Sequence, residues 1–299
     1  MTRIGLDLPT QQPYAPTTVT EGAHGWYFYG ITEGGSLTPA LLASCGESHH
    51  AGSVTAFGNA SALQLVELSS LAAVVRRVLL DDFRPEALRD RLHNDNGLEL
   101  LARYHNDVIE AIHARQAILP SKLGVVFAHR DDIVSALQAS HDTLVRKLHR
   151  LRSCDEWAIH LYADEARIRE RVAKAEPALE KLRNELAVAR PGRAYFLEQR
   201  LRDELHATAE QALVRHAEKA FDRLGTFAVD ALASPAKPPT DANDDLEILR
   251  ASFLVPRDNV EQFQAEVRLC CDETDGVRCE CTGPWPPYSF AAQEDGEMV

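Results

Sequence analysis

Four of the six cysteines fall close together near the C terminus, at Cys270, Cys271, Cys279 and Cys281, and clustered thiols are natural candidates for metal or redox chemistry. Structural zinc draws on tight Cys or His pairs separated by about two to four residues. Here one pair is adjacent and the other is Cys-x-Cys, so the spacing predicts ordinary thiols, as for Cys45 and Cys154, and no metal. The histidines give no better set: His49 and His50 are adjacent, and His141 and His149 lie two helical turns apart, too far to share an ion. His129-Arg130-Asp131 spells a fragment of a kinase catalytic loop, but neither a glycine-rich phosphate loop nor Asp-Phe-Gly accompanies it. The stretch EGGS, Glu33 to Ser36, lacks the Gly-Lys-Ser/Thr ending of a phosphate cradle and is not expected to lead into a helix. The abundant paired carboxylates read as solvated helix faces. No catalytic, cofactor-binding or metal-ligating residue is expected, and the chain does not read as an enzyme.

A different kind of chemistry is offered by GPWPPYSF, Gly283 to Phe290, with three prolines and three aromatics in eight residues. The preceding VRCECT alternates as a strand. Gly283 is expected to end it, and Pro284, Pro286 and Pro287 to impose a stiff polyproline arm on which Trp285 and Tyr288 project to one side, with Phe290 nearby. Two readings follow for Trp285, Pro286, Pro287, Tyr288 and Phe290. The arm is a lid whose aromatics close its own domain, or a rigid aromatic strip held out to a partner. Pro284-x-x-Pro287 also has the spacing of an SH3 ligand, without a flanking basic residue.

The elements that must position these residues can be traced along the chain. Residues 1–23 have no apolar period and read as a disordered leader. GWYFYGI, Gly25 to Ile31, is a strand buried on both faces, and SVTAFGNASALQLVEL predicts two strands around a Gly58-Asn59 turn. SSLAAVVRRVLLDDF and PEALRDRLHN alternate apolar and basic patches at helical spacing. Asn96 to Ala117 is an amphipathic helix with Leu98, Leu101, His105, Val108, Ile109 and Ile112 on one face. AILPSKLGVVFA, residues 117–128, predicts an irregular strand. Asp131 and Asp132 open a helix with Ile133, Leu137, Leu144, Leu148 and Leu151 as its buried stripe. Beyond the strand EWAIHLY, long helices from Asp164 to Leu186 and from Pro191 to Val229 form an antiparallel hairpin broken at Pro191-Gly192. A proline- and acid-rich loop, Ser234 to Asp245, precedes a strand (LEILRASFLV), a helix opened by Asp258, and VRCECT.

At 299 residues the chain is long enough for two cores. The reading is α+β in two domains: residues 24–153, and residues 154–299 with the hairpin and the C-terminal arm. A net charge of −13 disfavours nucleic acid and anionic membrane surfaces as partners. No apolar run approaches the ~20 residues of a membrane span, and the N-terminal segment lacks the apolar stretch of a secretory signal, so a cytoplasmic protein with protein partners is expected.

GPWPPYSF after a C-terminal strand, YFYGI near the start, ILPSKLGVVF in the middle and PGRAYF (Pro191 to Phe196) at the head of a long helix together resemble the gas vesicle protein F/L family (GvpF/GvpL). The matches span residues 26–290 in the family's order. The middle motif departs from the family's common Leu-Pro-Val-Arg-Phe-Gly-Thr-Val-Phe, since Ser121, Lys122, Leu123 and Val125 stand here. The resemblance implies a ferredoxin-like α+β N-terminal domain and a C-terminal α+β domain with a helical hairpin. It also implies a non-enzymatic accessory or minor structural role in gas vesicles, at the gas-facing side of the shell for some members. Its expected partners are the small, very hydrophobic shell protein GvpA and other gas vesicle proteins, with no cofactor. A scaffold that recruits SH3-like partners and a small-molecule enzyme with an inter-domain cleft are the alternative functions.

Overall fold

The computed structural model describes residues 22–46, 62–87, 89, 97–238, 245–272 and 274–292. The leader up to residue 21, the Gly58-Asn59 turn, His49-His50 and most of PEALRDRLHN lie outside them. The chain divides into two units, one comprising Met1–Glu156 with Pro284–Val299 and the other Trp157–Gly283.

GWYFYGI lies in β1 (His24–Glu33), the centre of the first unit's sheet. One edge of β1 pairs antiparallel with β3 (Leu71–Leu79), which pairs in turn with β2 (Leu63–Leu68). Its other edge is taken in succession by β4 (Ile118–Pro120) and β5 (Val126–Phe127). Among the described elements, helix α1 (Pro39–Gly46) falls between β1 and β2 in sequence, and α2 (Gly97–His113) between β3 and β4. This is a β-α-β-β-α-β order with strands arranged β2-β3-β1-β4, the ferredoxin-like arrangement. Contrary to expectation, a helix does follow EGGS, opening at Pro39. Gly30 sits at a register shift in β1, and a Cβ there would come within 2.4 Å of the Leu119 carbonyl oxygen, so only glycine admits the β4 edge so closely.

SSLAAVVRRVLL is a strand where its apolar and basic patches predicted a helix. Tyr27, Tyr29, Val74 and Val78 bury against α1 and α2 on one face, while Phe28, Ile31, Ala73 and Val75 are equally buried outside that cluster. Helices α3 (Arg130–Ala139) and α4 (His141–Leu151) pack on β1 to β4. A strand paired on both edges and covered on both faces has no polar side to reveal its period. Arg76 is tolerated inside because its guanidinium lies 4.6 Å over the Tyr104 ring and donates to the Tyr104 hydroxyl. The stripe Ile133, Leu137, Leu144, Leu148 and Leu151 is buried as expected, but Ser140, at φ −118° and ψ 15°, splits one expected helix into two.

In the second unit the sheet runs β7 (Asp230–Ser234), β8 (Leu246–Pro256), β6 (Cys154–Ala163), β9 (Val277–Trp285). Against it stand α5 (Glu165–Ala175), α6 (Pro177–Ala187), the 35-residue α7 (Pro191–Gly225) and α8 (Val260–Asp272). Asp164 caps α5 by accepting from the Arg167 amide at 3.1 Å. Pro177 ends the continuous helix expected from Asp164 to Leu186, because proline suits a first helical turn and not an interior. Ile168, Val172 and Leu179 then meet Ala209 and Leu213 of α7 in a separate small core. β7 is not expected from its sequence, since DALAS carries none of the bulky β-branched or aromatic residues that mark strands; its pairing with β8 holds it extended.

Candidate functional site

The C-terminal arm departs from its expected form at both ends. Gly283 does not end the sheet, since β9 continues through Pro284 to Trp285. It can do so because β9 is an edge strand of the described sheet, the position where a sheet tolerates proline. Beyond it the chain does not stay in polyproline form. Pro287 has ψ near 60°, and Tyr288 to Ala291 make a helical turn (α9) in which the Ala291 amide donates to the Pro287 carbonyl at 2.9 Å. Pro284 is exposed but Pro286 and Pro287 are buried, so Pro284-x-x-Pro287 does not present both of its prolines on one exposed ridge.

Trp285 and Tyr288 consequently do not share a side. The Trp285 side chain is 42% exposed. Tyr288 packs half-buried on the first unit's core, and its hydroxyl donates to Asn106 Oδ1 at 2.7 Å. Burial, with Glu110 nearby, pushes the Tyr288 phenol well above its usual range. Phe290 and Ala291 are buried. Ser289 is gripped twice by the buried Glu156 carboxylate, its amide donating to Oε2 at 2.8 Å and its hydroxyl to Oε1 at 2.6 Å. Lys147 Nζ donates to the Ala291 carbonyl at 3.5 Å. The arm is therefore tied down on the first unit, although its sequence position places it in the second domain. The cause is Glu156, Asn106 and Lys147, none of which can be matched to GPWPPYSF by sequence spacing. Replacing Glu156 with Ala strands two donors and is expected to cost about 2–4 kcal/mol. Limited proteolysis should then cleave after Gly283 at least about tenfold faster, with Glu156→Gln intermediate because one acceptor survives.

The middle motif ILPSKLGVVF holds a second polar constellation. Ser121 donates its hydroxyl to the Phe28 carbonyl at 2.6 Å and its amide to the Tyr29 carbonyl at 2.9 Å, tying the segment between β4 and β5 to β1. His105 of α2 lies between Tyr27 and Tyr29, stacked on the latter with centroids 5.6 Å apart. Tyr27 O–H donates to His105 Nδ1 at 2.8 Å and His105 Nε2–H donates to the Ser121 carbonyl at 3.2 Å, while the Gly124 amide donates to the Tyr27 oxygen at 3.3 Å. The Ser121 carbonyl can only accept, so Nε2 carries the hydrogen and, in the neutral imidazole, Nδ1 is left to accept from the Tyr27 hydroxyl. Burial holds the His105 pKa down to about 4, with the Ser121 carbonyl opposing. The helical period placed His105 on the apolar stripe, but its role depends on a motif 16 residues away.

All six cysteines are thiols. A hydrogen bond to Cys271, followed by burial, raises the Cys279 thiol far above its usual range. Among the described residues no three His, Cys, Asp or Glu side chains are placed to hold a metal ion. In PGRAYF, Tyr195 and Phe196 are both exposed to solvent, a surface that the motif's helical spacing does not announce.

The architecture thus defines a class: an α+β protein with a ferredoxin-like unit, a second unit built on a long helical hairpin, and a C-terminal segment returned to the first. Solved structures share it. Over 90% of this chain and 99% of the other, it matches the crystal structure of the gas vesicle protein GvpF from Anabaena sp. PCC7120 with a TM-score of 0.62 at 17% identity. GvpF from Microcystis aeruginosa matches with a TM-score of 0.56 at 16% identity, over 89% of this chain and 98% of the other. Gas vesicle protein L of Streptomyces sp. (strain CB03234) is 33% identical over 240 residues, 78% of this chain and 85% of that protein. Gas vesicle protein F of the same strain is 26% identical over 206 residues, 69% of this chain and 80% of that protein. The family model for gas vesicle synthesis protein GvpL/GvpF matches residues 25–292, and the chain belongs to that family.

Proposed function

We propose that this gas vesicle protein is a non-enzymatic accessory or minor structural component that binds the shell protein GvpA and assists vesicle assembly. The observation that carries the reading is the family match across residues 25–292, which includes both units and the arm. Two features support it. Several buried polar groups are engaged in holding the fold: His105 with Tyr27 and Ser121, Glu156 with Ser289, and His113 with Asp155 at 2.8 Å. An acidic carrier covering a sticky shell monomer would lower its free concentration, which is what controlled polymerisation of a very hydrophobic subunit requires. The complex belongs in the cytoplasm, at the growing vesicle.

The test is co-expression of the tagged chain with GvpA, with a GvpA-free control and an unrelated acidic protein as bait. GvpA is expected to co-purify with this chain alone. Its absence from the eluate, with normal vesicles in a strain lacking the gene, would overturn the reading.

A further inference from the structure

Helices α6 and α7 meet at a turn whose sequence from Leu186 to Leu197 is LAVARPGRAYFL. Leu182 and Leu197 beside it are buried, and the apolar residues between them are not needed to close the hairpin's core. Val188 is 85% exposed, Tyr195 61% and Phe196 72%. The two rings contact each other edge to face, with centroids 5.8 Å apart and planes at 79°. They present one aromatic surface, and contiguous exposed apolar area of this kind marks interaction sites.

The turn also carries two cations in an acidic chain. Arg190 and Arg193 stand between Leu186 and Leu197 in a protein of net charge −13, with Glu185 and Glu198 bordering the stretch on either side. Arg190 is exposed, and Arg193 lies 3.8 Å from Glu185 at the tip's border. An aromatic pair flanked by arginines has the composition of an interface hot spot. Two cations are too few to hold an acidic protein on an anionic bilayer, which takes a cluster of roughly 4–8. A second copy would bring a further −13 against the same long-range repulsion.

We infer that the hairpin tip is a docking surface for a protein partner whose contact face combines an apolar depression with carboxylates. Resting on the function proposed above, that partner is the gas vesicle shell protein. Tyr195 and Phe196 enter the depression, and Arg190 and Arg193 meet its acidic rim.

The probe is purified GvpA, titrated with the wild-type chain, Tyr195→Ala/Phe196→Ala and Arg190→Glu/Arg193→Glu. Both variants change exposed positions, so their melting temperatures should stay near wild type. The aromatic variant is expected to bind at least about tenfold more weakly. The charge-reversed variant should bind several-fold more weakly and lose the wild type's salt sensitivity. The swap Tyr195→Phe/Phe196→Tyr should restore binding, which separates lost contacts from helix damage. Wild-type affinity in the aromatic variant overturns the docking surface while leaving GvpA binding intact. A wild-type chain that does not bind GvpA overturns the proposed function and this assignment together. Flotation with phosphatidylglycerol vesicles, or a dimer, that the aromatic variant abolishes would overturn it in favour of a lipid surface or a second copy.

Discussion

Phe290→Ala should destabilise the protein by about 3–5 kcal/mol, because the ring is 4% exposed and its removal leaves a cavity that the short helical turn cannot fill. For a unit of this size that corresponds to a fall in melting temperature on the order of 10 °C. Trp285→Ala, five residues earlier, should cost no more than about 1–2 kcal/mol, since 42% of that residue is already in water. The contrast tests the two roles first open for the arm. On the lid reading the closing part is Pro286 to Ala291, whose residues bond to Glu156, Asn106 and Lys147. Trp285 is the part that remains presented to solvent. Thermal unfolding of the two variants side by side decides it, and equal losses would mean that the arm packs as one piece.

Acid should destabilise the first unit through His105. Its folded pKa of about 4 lies below the ordinary 6.5, so above pH 6.5 the imidazole is neutral in both states and contributes no pH dependence. Between about 6.5 and about 4 only the unfolded chain takes up the proton, and stability falls as pH falls; below about 4 both states are protonated and the loss levels off. The shift corresponds to about 3 kcal/mol. The cause is burial: a protonated imidazole would sit packed between Tyr27 and Tyr29 with little water to stabilise its charge, and only the Ser121 carbonyl favours it. Urea unfolding at pH 7.5, 5.5 and 4.5 should show this loss, and His105→Gln should be less stable at neutral pH but lose about 3 kcal/mol less on acidification. A variant with the wild-type pH dependence would remove His105 as the source.

The elements most legible in the sequence are those with one buried and one wet face. The stripe Leu101, His105, Val108, Ile109 and Ile112 identified α2, and Ile168, Val172, Leu179 and Leu182 identified the hairpin, because half-burial imprints a 3.6-residue period on the apolar positions. Local breaks were less legible: Pro177 divides one predicted helix, and Ser140 another, where the period alone runs straight through.

Composition and motif order were sufficient for the α+β class and the family, since apolar spacing, charge and the GPWPPYSF and PGRAYF stretches are properties of the chain itself. Three matters were decided by tertiary structure. SSLAAVVRRVLL became a strand because β1, β2 and helices on both faces enclose it, and enclosure on all sides erases the pattern that local reading needs. GPWPPYSF became a strand end and a helical turn on the first unit because Glu156, 133 residues away, supplies the acceptors for Ser289. Tyr195 and Phe196 became a surface because only Leu197 of that trio points into the hairpin's core. Each depends on partners remote in sequence, whose meeting is a consequence of the folded chain's topology and leaves no local period to read.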